Sequence, residues 1–389
     1  MRRIGLRFTI ALGASIIAIA ASLPRASAEI AVSSNDSHTI LVDGVQVPPK
    51  DLKPDTVSII DLRGYPPKVI GTLEVPGSVV GPPMAVAVAS DESYAIVTSA
   101  TKVDPADVSK IVPDDRVSVI DLRASPPRVM QQTTAGAGAT VVSFSPDGTL
   151  ALVANRAEGT VSMYAIKDKT LESLGKLDLG NPKAGPSGVM FTPDGKTALL
   201  SRDGDSMVSV LHIDGAKVSI DPRPITTAYR PYTLDINRAG TLAAVSNVGR
   251  GDGDVDTVSL IDLTQTPFRT VETFSVAGSP EGLKFSPDGR YLAVGCQDGT
   301  TKPKTNVFYH EHGKFILLAV DGHTLKKVAE APIGHWSQGI AFSRDGKTIL
   351  VQNMVERNIS VFRWEDGKLK AGTPIDVGSG PAAIRTPWP

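Results

Sequence analysis

A four-residue turn that keeps returning constrains this chain more than any other feature. Ser145-Pro-Asp-Gly148, Thr192-Pro-Asp-Gly195, Ser286-Pro-Asp-Gly289 and Ser343-Arg-Asp-Gly346 are four copies, and Asn237-Arg-Ala-Gly240 and Ser90-Asp-Glu-Ser93 are degenerate ones. Each stands between two short apolar runs, such as Val141–Phe144 before and Leu150–Ala154 after, a pattern that reads as a β-hairpin. A second signature, Val-Ser or a near variant inside an apolar run, places its leading residue at 57, 117, 161, 208, 258, 315 and 359. The steps run from 44 to 60 residues, and a more polar run such as Lys68–Leu73 ends each unit.

Self-similarity at this period, with no sustained helical pattern, predicts an all-β, seven-bladed β-propeller with four antiparallel strands per blade. The first unit has no hairpin of its own, and its second, third and fourth strands are expected between residues 36 and 75. At the other end Pro381–Thr386 looks like an innermost strand. Blade 1 is therefore expected to be closed by the C-terminal strand, which removes both exposed edges. On this reading residues 1–28 are a signal peptide and 29–389 one propeller domain.

The signal peptide rests on Arg2, Arg3 and Arg7, an apolar stretch from Phe8 to Ala21, and Ala26-Ser27-Ala28 as a cleavage site. The Arg2-Arg3 pair also permits twin-arginine export. Cleavage would remove four of the 40 basic residues and none of the 41 acids, so a net charge of −1 becomes −5. A mildly acidic, exported (periplasmic or secreted) monomer follows, with no basic footprint for nucleic acid and no membrane span. A single cysteine, Cys296, excludes an internal disulfide and a cysteine zinc site, and its apolar neighbours Tyr291–Gly295 make it a core residue.

Gly185–Gly195 and Phe144–Ser162 are similar to the YVTN-type repeat of bacterial seven-bladed propellers. The resemblance spans nearly all of the chain after residue 28. It implies relatives that include 6-phosphogluconolactonase-like lactonases, carboxymuconate cyclases and subunits of periplasmic redox enzymes. Lactonase-like relatives often carry Gly-Pro-Arg-His where this chain has Gly185-Pro-Ser-Gly188, so no catalytic residue is carried over by position.

Strand order sorts the loops onto two faces. Insertions fall on second-to-third-strand connections, at residues 98–115, 248–256 and 298–313, and insertions on one face of a repeat protein mark a binding face. That face carries His310, His312 and His335, candidates for acid/base or metal chemistry, because alternate residues of an extended segment project together. It also carries Arg156, Arg202, Arg230 and Arg250, which either bind a carboxylate or phosphate or pair with nearby acids. Asp252, Asp254 and Asp256 alternate as ligands of a calcium ion would, in a loop that is not an EF-hand. There is no Cys-x-x-Cys-His haem motif, Gly-x-Ser-x-Gly elbow or phosphate loop. Three readings follow: a periplasmic propeller that binds a small ligand or partner protein; a lactonase- or cyclase-like enzyme using His and Arg at the funnel mouth; and a subunit of a periplasmic redox enzyme.

Overall fold

The computed structural model describes residues 29–387; the signal-peptide reading of residues 1–28 lies outside the described residues. Seven antiparallel sheets, each built on four strands, form the blades, and no helix occurs among the described residues. The innermost strands of blades 2 to 7 are Val86–Val88, Ala139–Phe144, Pro186–Phe191, Pro231–Ile236, Pro280–Phe285 and Ser337–Phe342. Blade 1 takes its inner strand from Gly380–Arg385, which pairs antiparallel with Ile30–Asp36 at Val32↔Arg385.

The recurring turn works through its side chains. Ser145 Oγ donates to Asp147 Oδ1 at 2.5 Å and accepts from Leu150 N at 2.9 Å, while Thr149 N donates to the same carboxylate at 3.0 Å. Gly148 supplies the left-handed residue at φ 69°. Serine and aspartate thus satisfy the donors that the reversal strips from the ladder, and the pairs Ser286–Asp288 and Ser343–Asp345 repeat the arrangement.

Blade 1 differs from expectation in one respect. Its second strand is Ile30–Asp36, ahead of the 36–75 span, and residues 37–55 form a connection carrying a small hairpin, Ile40–Val42 with Val45–Val47. The run Ile40-Leu-Val42 is apolar enough to suggest a strand, but Asp43-Gly44 folds it back after three residues. Ile30–Asp36 instead finds strands on both sides and is buried throughout.

Adjacent blades share apolar cores. Leu152 and Val161 of blade 3 pack with Val189, Phe191 and Leu200 of blade 4, and Cys296 lies wholly buried in the core between blades 5 and 6, its thiol pushed up to about 12 by burial. Toward the axis the inner strands nearly touch. A Cβ on Gly282 would sit 2.3 Å from Gln338 O, and one on Gly339 would sit 2.9 Å from Ile384 N. Only glycine permits that approach.

On the face that carries the blade crossings, here the upper face, one buried group ties blade 1 to blade 2. His38 Nδ1 lies 2.9 Å from Asp55 Oδ1 and 3.3 Å from Asp36 Oδ1, and its Nε2 lies 3.3 Å from Thr101 Oγ1. Asp36 also accepts from Val79 N at 2.8 Å, and Asp55 from Gly77 N at 3.2 Å. Burial works against charge on His38, but the hydrogen bond to Asp55 and the negative charges of Asp36 and Asp55 outweigh it and raise its pKa.

Two expectations follow. Because the folded His38 pKa is raised, its stabilisation is complete below pH ~6.5 and declines as pH rises through the folded value. Urea midpoints measured from pH 5 to 9 should therefore fall with pH in wild type more steeply than in His38→Gln; parallel curves would contradict the imidazolium assignment. At the closing strand, Ile384→Ala should lower unfolding free energy by about 2–5 kcal/mol, against less than about 0.5 for exposed Val108→Ala. Equal effects would remove the closing role.

Candidate functional site

The loops that vary in length do share the upper face. Blade 2 contributes a hairpin, Thr101–Asp104 with Asp107–Pro113, blades 5 and 6 contribute the segments around 252 and 306, and the 37–55 connection of blade 1 is a fourth. These loops surround the upper end of the channel lined by the seven inner strands.

The three upper-face histidines are spread along the blade 6–7 rim. His310 is exposed and directs Nδ1 to Asp298 O at 2.7 Å; His312 is exposed. His335 Nδ1 lies 2.6 Å from Glu356 Oε1, and its Nε2 lies 3.4 Å from the Tyr309 hydroxyl, which donates to Glu311 Oε2 at 3.1 Å. In the blade 5 loop Asp252 and Asp254 point outward, whereas Asp256 turns inward and accepts from Ser279 N at 2.7 Å; burial, with Asp252 and Asp254 nearby, raises its pKa. Among the described residues the one group of three ligand atoms within 4.8 Å of one another is Asp36, His38 and Asp55, so neither the histidines nor the blade 5 acids gather that closely.

The four arginines separate into two kinds. Arg202 is buried and pairs with Asp205 through Nε at 3.0 Å and also through Nη2, with Nη1 donating to Ser209 Oγ at 3.2 Å. Arg250 lies over the exposed Tyr229 ring at 5.6 Å. Arg156 and Arg230 are different: they converge on one buried carboxylate. Asp203 Oδ2 accepts from Arg156 Nη2 at 2.6 Å and from Arg230 Nη2 at 3.1 Å. Arg156 also lies 5.9 Å from the centre of the Tyr232 ring, and Arg230 Nη1 donates to Gly249 O at 3.2 Å. Both arginine side chains keep about a third of their surface open, while the Asp203 side chain behind them is only 3% exposed.

Facing them is a carboxyl that the motif search passes over. Glu281 is the second residue of the blade 6 inner strand and is half-buried in the channel wall. Its Oε2 accepts from Gln338 Nε2 at 2.5 Å. Burial raises its pKa to about 8, and hydrogen bonds from Gln297 and Gln338 with the charges of Arg156 and Arg230 offset that only in part. Tyr232, the matching residue of blade 5, is buried, and its pKa is raised by burial and by Glu281. Close to these groups in the inner strands, Gln338 Oε1 and Thr233 Oγ1 are buried without a hydrogen-bond partner among the described residues. A cluster with two partly open cations, a carboxyl titrating near neutrality and unused polar atoms can hold an anionic or carbonyl-bearing ligand and move a proton on it.

A signal for Glu281 does exist in the sequence. Pro280-Glu-Gly-Leu-Lys-Phe285 places an acid and a base in a run whose counterparts Ala139–Phe144, Pro186–Phe191 and Ser337–Phe342 have no ionisable residue. The backbone at Arg230 carries a further mark. The residue before each of five inner strands is left-handed: Gly138 and Gly185 in two blades, but Arg230 at φ 59°, Ser279 at 50° and Trp336 at 51° in the others. A side chain there costs on the order of 1 kcal/mol that glycine would not.

Residues 81–308 match the model of the family described as Lactonase, 7-bladed beta-propeller. No curated protein matches the sequence. Among solved structures, a protein of Bacteroides uniformis assigned provisionally as a 6-phosphogluconolactonase superimposes with a TM-score of 0.72 at 16% identity, covering 92% of this chain and 99% of that one. The Pseudomonas aeruginosa periplasmic gluconolactonase PpgL gives 0.68 at 20% identity, covering 93% and 99%. Kuenenia stuttgartiensis hydrazine synthase gives 0.61 at 18% identity, covering 80% and 91%. At these identities the likeness is one of fold.

Because Arg230 holds its strained backbone beside two hydrogen bonds, removing both together should be nearly neutral. Arg230→Gly is expected to keep its unfolding free energy within about 1 kcal/mol of wild type by chemical denaturation. A loss of several kcal/mol would make this arginine a structural residue.

Proposed function

The chain belongs to the lactonase seven-bladed β-propeller family, and from that premise we propose that it hydrolyses a lactone in the upper mouth of the channel. The observation that carries this reading is Glu281, a half-buried carboxyl facing Arg156 and Arg230 across the channel wall. A lactone presents one electrophilic carbonyl carbon and a ring oxygen that must leave. Ionised Glu281 takes a proton from water as the water oxygen bonds to the carbonyl carbon. Arg156 and Arg230 meet the oxyanion that develops, and a carboxylate or phosphate elsewhere on the substrate suits the same guanidiniums. The carbon–oxygen ring bond then breaks, the ring oxygen takes back the proton held by Glu281, and an open hydroxy acid is released.

A base with a pKa of about 8 is stronger than an ordinary glutamate and still ionises near neutral pH. Asp203 aligns the two arginines from behind, leaving their outer faces for substrate. The rim histidines 310, 312 and 335 would act on substrate entry rather than on the reacting bond. The basic, apolar and small-residue pattern of residues 1–28 supports export, the compartment in which PpgL is named as working.

The test is a panel of γ- and δ-sugar lactones, with and without phosphate, followed by pH-stat titration of the acid released. Wild-type kcat/KM should climb with pH and level off above about pH 8. Glu281→Gln should lower kcat by at least about 100-fold, and Arg230→Gly should raise KM about tenfold or more. Full activity in Glu281→Gln would overturn the assignment. Calorimetric binding of a lactone that wild type leaves intact would favour a ligand-binding role without turnover.

A further inference from the structure

The blade 1 connection, residues 37–55, supplies no group to the lactone chemistry, yet its hairpin lies across the upper mouth. The tip of the hairpin reaches blade 6: a Cβ on Gly44 would sit 2.7 Å from Pro303 Cδ, in the insertion at 298–313. Its returning strand, Val45–Val47, packs beside the blade 2 strand Asp107–Pro113. From blade 2 through blades 1 and 7 to blade 6 is three steps around a ring of seven, so these two supports stand almost opposite each other. A hairpin that touches both has to pass over the channel. It covers the half that belongs to blades 6, 7, 1 and 2. Arg156, Asp203 and Arg230 stand at blades 3, 4 and 5, on the open half.

Both ends of the connection are fixed. Ser37 N donates to Asp55 Oδ1 and Thr39 N to Asp36 Oδ1, each at 2.8 Å, with His38 between the two carboxylates. The stretch between those ends is attached differently. Among the described residues no hydrogen bond or ion pair joins residues 40–54 to the rest of the chain, and Ile40–Val42 pairs only with Val45–Val47. A lone two-stranded hairpin has little stability of its own. Leu41 is what holds it down: it packs against a buried apolar cluster of Val79, Trp336, Met354 and Ala382, whereas Val42 and Val45 are 52% and 59% exposed. Ala382 is the residue that the pairing of the closing strand skips, as Glu281 is in blade 6, so this cluster reaches the level of Glu281 in the channel wall. A cleft of about 370 Å3, lined by Leu41 and Pro49 with Met354, Arg357 and Ser379, undercuts the connection toward blade 7.

We propose that the blade 1 hairpin is a lid on the upper mouth, latched by Leu41, and that Leu41 thereby limits the size of ligand that reaches Glu281. A segment with fixed ends, one apolar latch and no hydrogen bonds to its surroundings opens at a lower free energy than the strands it is tied to. Opening lifts Leu41 off the Trp336 cluster and leaves an apolar recess in the channel mouth. Closing keeps water from the carboxyl and the guanidiniums. A compact lactone enters from the arginine side with the lid shut, whereas one with a bulky substituent on its ring needs the space that Leu41 fills. The size role rests on the lactone reading; the lid does not.

Hydrogen exchange of the full chain, read by mass spectrometry, tests the lid without any substrate. Peptides covering 40–47 should exchange at least about tenfold faster than those covering Ile30–Asp36. Leu41→Ala should speed the hairpin by about tenfold more and leave Ile30–Asp36 unchanged, and Val42→Ala, at an exposed neighbour, should alter neither. Equal protection of the two segments in wild type would make the hairpin a fixed roof and overturn the lid; an unchanged hairpin in Leu41→Ala would remove the latch. The size role is read from kcat/KM for a δ-lactone and for the same ring bearing a phenyl group. Leu41→Ala should raise the ratio of substituted to unsubstituted by about tenfold or more, and Val42→Ala should leave it alone. Faster exchange with an unchanged ratio would overturn the size role. Absence of turnover of either lactone by wild type would defeat the lactone reading instead, and the exchange rates would still decide the lid.

Discussion

The inner strands approach so closely that glycine is required at Gly282 and Gly339, and the rest of the molecule depends on that contact. With backbone against backbone at this level, the blades must lean outward. The apolar faces of successive sheets then meet in the inter-blade cores. The ring holds only if every inner position is filled, and Gly380–Arg385 fills the one that the N-terminal segment leaves open. Closure also fixes where function can reside. Residues above and below the glycine level look into a narrow, protein-lined channel, and any charge placed there loses most of its water.

That loss explains the electrostatics at both ends. In the upper mouth Asp203 is the shared counter-charge that aligns Arg156 and Arg230, while burial pushes Glu281 toward its neutral form. At the lower end of the inner strands Asp235 accepts from Lys284, and Arg385 Nη1 donates to the carbonyl of Ile384. Local burial, rather than net charge, decides what the channel can bind.

Some of this is legible along the chain. The Ser-x-Asp-Gly turns announce themselves because their hydrogen bonds are local, between residues two to five apart. Cys296 reads as core because its neighbours are apolar, and the closing strand reads as such because its pattern has no hairpin of its own. The second strand of blade 1 is harder: Ile40-Leu-Val42 looks like a strand on its own, and only pairing with both Gly380–Arg385 and Thr56–Asp61 selects Ile30–Asp36. Among the arginines, type and loop position cannot tell Arg230 from Arg202. Their separation rests on Asp203, 27 residues from one, and Asp205, three residues from the other.

The amino-acid sequence by itself determined the repeat, the blade count and the circular closure, because each rests on short-range turn chemistry and on alternation within a strand. Tertiary structure alone decided which polar residues matter. Glu281, Gln338, Arg156 and the pair Arg230 and Tyr232 come from four stretches of chain, and His38 meets partners on two blades. Their chemistry depends on burial and on charges brought near by ring closure. Those are through-space quantities, set by where seven inner strands meet and not by spacing along the chain.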